Sequence, residues 1–193
     1  MSGNARKYLY LSEKWHCKAW VSGGDIPIKL ASTYLSNNRE GIMTPDENLI
    51  HRSEFPIPAL KMFGFEIHDV KGLNMSGNYY NGMRIPDITN GMYYKEDGLI
   101  LSFCNVFDPE IAKKLGKVAC VEILDINNLA KVINKRLKCK SVAGDCKYTQ
   151  GHERDHFLKS FEDAWQQEYR LFWKVNQNRT VHLPSGLARI VKL

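Results

Sequence analysis

The stretch AWQQEYRLFW, residues 164–173, decides how this chain is read. As a strand, it sends successive side chains to opposite faces. Trp165, Gln167, Tyr169, Leu171 and Trp173 then share one face, largely apolar and suited to a core. Gln166, Glu168, Arg170 and Phe172 share the other. A polar row of this kind is either washed by solvent or aimed into a site, and the rest of the chain must choose between them.

The chain has 193 residues, enough for one domain with a proper core. Hydrophobic residues make up 44% and charged residues 25%, an ordinary globular balance. No apolar run is long enough to span a bilayer, and MSGNARKYLYLSEKW lacks the apolar core of a secretory signal. A cytoplasmic protein without a membrane partner is expected. Cys17, Cys104, Cys120, Cys139 and Cys146 are odd in number and unpatterned, which suits a reducing compartment. The net charge of +6 points to an anionic partner. The excess is spread along the chain, and its densest run, KVINKRLKCK at 131–140, reads first as a solvated helix face.

Alternation places strands at ARKYLYLS, GLILSFCNVF, KVACVEIL and SVAGDCKYT, with a last strand in TVHLPSGLARIVKL near an edge because of Pro184. Asp108 followed by Pro109 caps a short helix closed by Gly116, and Asp125 caps the helix DINNLAKVINKRL. IPIKLASTYLSNN and HERDHFLKSF are assigned to helices, and TPDE to a helix-start cap. Residues 53–98 read as a loop-rich insertion in a single domain spanning 1–193. Many strands with few, short helices predict an α+β fold built on a mixed or antiparallel split β-sheet with short flanking helices.

Cys139, Cys146, His152 and His156 invite a zinc site, because His152 and His156 would share a helix face. The wide cysteine spacing argues against it, and no metal is expected. Three features remain: Arg6 with the strand bearing Tyr8 and Tyr10, Ser102 at the centre of ILSFCN, and Gln166-x-Glu168. Taken singly, each has an ordinary explanation as a frayed terminus, a packing contact or a same-face ion pair.

In this order the three resemble the ADP-ribosyltransferase superfamily: an early strand with a basic or aromatic residue, a middle Ser-x-Ser, and a late Gln/Glu-x-Glu. The middle motif here is Ser102-Phe103-Cys104, with cysteine at the second small position. More narrowly, FLKSFEDAWQQEYRLFW is similar to an uncharacterised bacterial and phage domain family, at Lys159, Trp165, Glu168, Tyr169 and Arg170. The resemblance implies NAD as co-substrate and transfer of ADP-ribose to a protein or nucleic acid, as in a toxin or in phage–host conflict. Glu168 would stabilise the sugar cation formed when the nicotinamide–ribose bond breaks, and Gln166 would orient the acceptor. Arg6 would bind the pyrophosphate, Tyr8 and Tyr10 would belong to the cofactor site, and Ser102 would hold by hydrogen bond the strand that cradles the nicotinamide side. Tyr80, Tyr93 or Tyr94 would offer an aromatic face to the cationic ring. The competing reading is a non-catalytic nucleic-acid-binding module using the basic run and exposed tyrosines.

Overall fold

The structure is a computed structural model and describes residues 6–193. In chain order its elements are β1 (Lys7–Leu11), α1 (Cys17–Val21), β2 (Gly24–Leu30), β3 (Leu49–Arg52), β4 (Val70–Met75), β5 (Tyr79–Tyr80), β6 (Met83–Arg84), β7 (Ile88–Lys95) and β8 (Leu99–Cys104). There follow α2 (Pro109–Lys114), β9 (Ala119–Ile123), α3 (Ile126–Leu137), β10 (Val142–Asp145), β11 (Lys147–Thr149), β12 (Leu158–Ser160), β13 (Glu168–Trp173), β14 (Arg179–Leu183) and β15 (Ala188–Val191). The α+β class is as expected, and the main sheet is antiparallel throughout.

That sheet runs β10-β13-β8-β1-β9-β15, and it forks at β8. One edge of β8 pairs with β13 along its whole length. The other edge is shared: Cys104 lies opposite Tyr8 of β1, while Leu99 and Ile100 lie opposite Leu30 and Lys29 of β2. Leu101, Ser102 and Phe103 therefore have no strand partner on that side, and the sheet opens there. On one face, Leu9, Phe103, Val121, Leu171 and Trp173 form the main core under α3. On the other, Tyr10, Cys104 and Cys120 pack with Ile111 and Ala112 of α2. Asp108 and Asp125 cap α2 and α3 as expected, each accepting a backbone N–H of the first turn.

Several segments differ from the sequence reading. The strand predicted from 164 begins at Glu168; Phe161–Gln166 is a 3-10 helix whose Ser160 cap accepts the Glu162 N–H. Gln167 then turns the chain in a left-handed conformation, with φ of 45°. The alternation within β13 stands, with Tyr169, Leu171 and Trp173 on the core face. IPIKLASTYLSNN is strand rather than helix up to Leu30, because β14 pairs with β2 along its length. HERDHFLKSF is not helical: it makes a turn and then β12, a parallel partner of β11. SVAGDCKYT is broken at Cys146 into β10 and β11. Pro184 does not sit in a last strand but turns the chain between β14 and β15. Residues 53–98 hold more order than a loop: a 3-10 helix and β4 and β7, which join β3 in a separate antiparallel sheet. That sheet has its own core of Ile57, Leu60, Phe63, Ile85 and Ile88.

Candidate functional site

The opening beside β8 holds a cavity of about 170 Å³. From the sheet, Tyr8, Tyr10, Ser102, Glu168 and Arg170 face it. From outside the sheet come Lys159, Gln166, Glu47, Tyr34 and Ile42. Period-two alternation explains the first group. β13, β8 and β1 are neighbours, so Glu168 lies opposite Cys104, and Cys104 opposite Tyr8, in one row across the sheet. Arg170 lies opposite Ser102 in the next row.

Glu168 is buried with cations around it. Its Oε2 accepts from Lys159 Nζ at 2.6 Å and from Arg170 Nη2 at 3.2 Å. Its Oε1 has only longer contacts to Arg170, at 3.3 and 3.4 Å. Lys159 also donates to Gln166 Oε1 at 2.8 Å, and Gln166 Nε2 donates to the Gly41 carbonyl at 3.1 Å. The same Arg170 Nη2 meets Glu47 Oε1 at 2.7 Å, and Arg170 Nη1 donates to the His156 carbonyl at 2.9 Å. Beyond Lys159 the pairing continues: Asp163 is bridged by Arg39 at 2.5 Å, and Asp46 lies 2.6 Å from both Arg39 and Arg154. Four carboxylates thus stand against four cations, most of them buried.

Burial pushes the Glu168 carboxyl up, but Arg170 and Lys159, with the Ser102 hydroxyl, overcome it and hold it down at about 2. Glu47 moves the opposite way. Its burial outweighs Arg170, and the charge of Glu168 adds to the upward push. Of the two carboxylates on one guanidinium, Glu168 is the one whose ionised form its surroundings favour. Burial lifts the Tyr10 phenol to about 12, and its oxygen accepts the Asp108 N–H at 2.7 Å, so it fixes the loop before α2. Cys104 is also lifted to about 12 by burial, with Glu168 adding to the shift, and stands as a neutral thiol beside the site.

Five of the nine residues singled out from sequence therefore meet at this cavity: Tyr8, Tyr10, Ser102, Gln166 and Glu168. Gln166 arrives from the 3-10 helix, not from the strand. The other four do not reach it. Arg6 stands beyond Tyr8 at the Glu122 side of the row, its guanidinium 3.2 Å from Glu122 and its side chain 60% exposed. Tyr93 and Tyr94 belong to β7, with Tyr93 edge-on to His51 and Tyr94 under Lys71. Tyr80 is on the β5–β6 hairpin against Phe63. The zinc arrangement is not formed: His152 reaches the Ser53 carbonyl and His156 stacks on Phe172. Among the described residues no group of three or more His, Cys, Asp or Glu is placed to hold a metal ion. No helix among them is long and apolar enough to cross a membrane.

Glu47, Tyr34, Ile42 and Arg39 escaped the sequence reading. Glu47 follows a Thr-Pro-Asp turn that looks like a helix cap, but Asp46 is an ion-pair hub and Glu47 a partner of Arg170. Arg154 and Arg170 are more than a hundred residues away from them, and no local pattern encodes that. Comparison with protein-family models, with curated proteins and with solved structures gave no match.

Proposed function

We propose that the chain is an NAD-dependent ADP-ribosyltransferase that works at the fork of the main sheet and modifies a macromolecular acceptor. The observation that carries this reading is the meeting of three strands. β1, β8 and β13, which carry Tyr8, Ser102 and Glu168 of the three resembling motifs, lie side by side with those residues on one face, over a cavity. The split in the sheet and the adjacency of these strands support an ADP-ribosyltransferase-like fold.

In this reaction the bond between ribose C1′ and the nicotinamide nitrogen breaks, and both electrons pass to the ring. Nicotinamide leaves neutral, and the sugar is left as an oxocarbenium cation. Glu168 is already ionised and needs no proton loss to stabilise that cation. Its Oε2 is engaged by Lys159, while the loosely held Oε1 is the oxygen available to a ribose hydroxyl. An oxygen or nitrogen of the acceptor then bonds to C1′ and gives up its proton. Without an acceptor, water takes that place. The amide of Gln166 is spent on Lys159 and Gly41, so Gln166 acts here as a positioning residue for Lys159. Tyr8, half-buried at the cavity, offers the aromatic surface that Tyr80, Tyr93 and Tyr94 cannot supply.

The test is calorimetric titration with NAD together with a nicotinamide-release assay on the wild type, Ser102→Ala and Glu168→Gln. Binding is expected in the wild type, with slow nicotinamide release that falls by about a hundredfold or more in Glu168→Gln. Ser102→Ala leaves the buried ion pairs in place and is expected to lower release with the fold intact, as read by circular dichroism. Absence of NAD binding in the wild type, or undiminished release in a folded Glu168→Gln, overturns the reading.

A further inference from the structure

The face of the main sheet opposite the cavity is covered by α3, which buries Ile126, Leu129 and Ile133 against the core. Its outer side is basic. From Ile126 to Gly144 the chain has five lysines and arginines, Lys131, Lys135, Arg136, Lys138 and Lys140, and no acidic residue. β14 packs beside α3 and adds Arg179, which shares the strand face of Val181 and Leu183 and so points to the helix side. All six are exposed, and among the described residues none has a carboxylate within ion-pair distance. Unpaired lysines occur elsewhere too; what marks this face is the run of cations with no acidic residue among them. The negative end of the helix dipole favours cations in the last turn. That accounts for Lys135 and Arg136, but not for Lys131, Lys140 or Arg179.

We propose that this face binds the phosphate backbone of a nucleic-acid duplex. Lys131 and Lys135 follow an i, i+4 spacing, which sets them about 6 Å apart along one side of a rigid helix, and Lys138 follows at its left-handed C-terminal cap. A fixed row of cations suits the regular phosphates of a duplex, and contacts to phosphate need no base to be read. A single strand is less well served, because α3 exposes no aromatic ring on which bases could stack. A bilayer is less well served too, because α3 exposes no large apolar side chain to enter it. The proposal does not depend on the NAD reading, since the cavity opens on the other face of the sheet.

The experiment is fluorescence anisotropy of the full chain with labelled duplex DNA and duplex RNA of about 20 base pairs, from about 50 to 200 mM salt. Single-stranded oligonucleotide and phosphatidylserine vesicles serve as rival probes. Lys131→Glu/Lys135→Glu/Arg179→Glu is compared with Lys18→Glu/Lys61→Glu/Lys113→Glu, which makes the same charge change elsewhere on the surface. Wild type is expected to bind one or both duplexes with a log–log salt slope near −5, about −0.9 for each of six contacts. The patch variant is expected to lose roughly a hundredfold in affinity and about three units of slope. The control variant should keep most of both. Duplex RNA bound without duplex DNA, or the reverse, supports the proposal and names the source of the phosphates. No duplex binding at the lowest salt, equal losses in the two variants, or preference for single strands or vesicles each overturns it.

Discussion

Glu47 and Glu168 touch the same guanidinium, yet their environments drive them apart. Glu168 is held far below an ordinary glutamate by Arg170 and Lys159, despite its burial. Its contribution to stability is therefore present above about 4.5 and is lost as pH falls from there towards about 2. Glu47 has the opposite sign. Its raised value means that ionising it in the folded state opposes stability as pH rises past the unfolded value. At neutral pH, Glu168→Gln is expected to cost about 3–5 kcal/mol, because Lys159 and Arg170 lose a buried partner. Glu47→Gln should cost clearly less, since Arg170 keeps Glu168. Urea midpoints of the two variants at pH 7 check the order. A wild-type series down to pH 2, set against Glu168→Gln, should show the acid limb shrinking in the variant. The residue types of this site were legible in sequence on β1, β8 and β13, where alternation alone fixes the face. The place of Arg6 is not legible there, because a residue just ahead of a strand is placed by what it meets, and it meets Glu122.

At the scale of elements, strong local signals were read correctly and long-range choices were not. Asp125 capping α3 is a local signal: its carboxylate accepts the N–H groups of Asn127 and Asn128. Asp125→Ala is expected to lose about 1 kcal/mol, measured by chemical denaturation. The start of β13 is hidden in the sequence because its break is made by Gln167 in a left-handed turn, a conformation that glutamine does not advertise. The apolar run of β2 fits both the helix and the strand period, and only its pairing with β14 decides. Gly98, just before β8, shows how tightly the fork is built. A Cβ there would come within 2.4 Å of the Phe172 ring and 2.6 Å of the Trp173 carbonyl. Gly98→Ala should therefore destabilise by about 1–3 kcal/mol through overpacking, with a lowered melting temperature as the readout.

Across the whole molecule, the ion pairs tie three distant stretches into one site. Residues 36–48 form a strap over the cavity, held by the Ser36 N–H on the Thr44 carbonyl and the Thr44 N–H on the Tyr34 carbonyl. Arg39 anchors it to Asp163 and Glu162, Asp46 ties it to Arg154, and Gly41 accepts from Gln166. The strap also carries Ile42 and Glu47 into the cavity. Few apolar contacts hold it, so its closure rests on these charges rather than on the main core. Arg39→Met removes the anchor while Asp46 keeps Arg154 and Asp163 keeps Lys159. Native-state hydrogen exchange should then accelerate at Ser36 and Thr44 by at least about tenfold, the effect of losing 1.4 kcal/mol of local closure. Amides of β8 and β13, paired along their length, should keep wild-type protection. Faster exchange spread evenly over strap and sheet would instead mean that the strap unfolds only with the core. In that case the charges would be part of global stability and not a separate closure over the cavity.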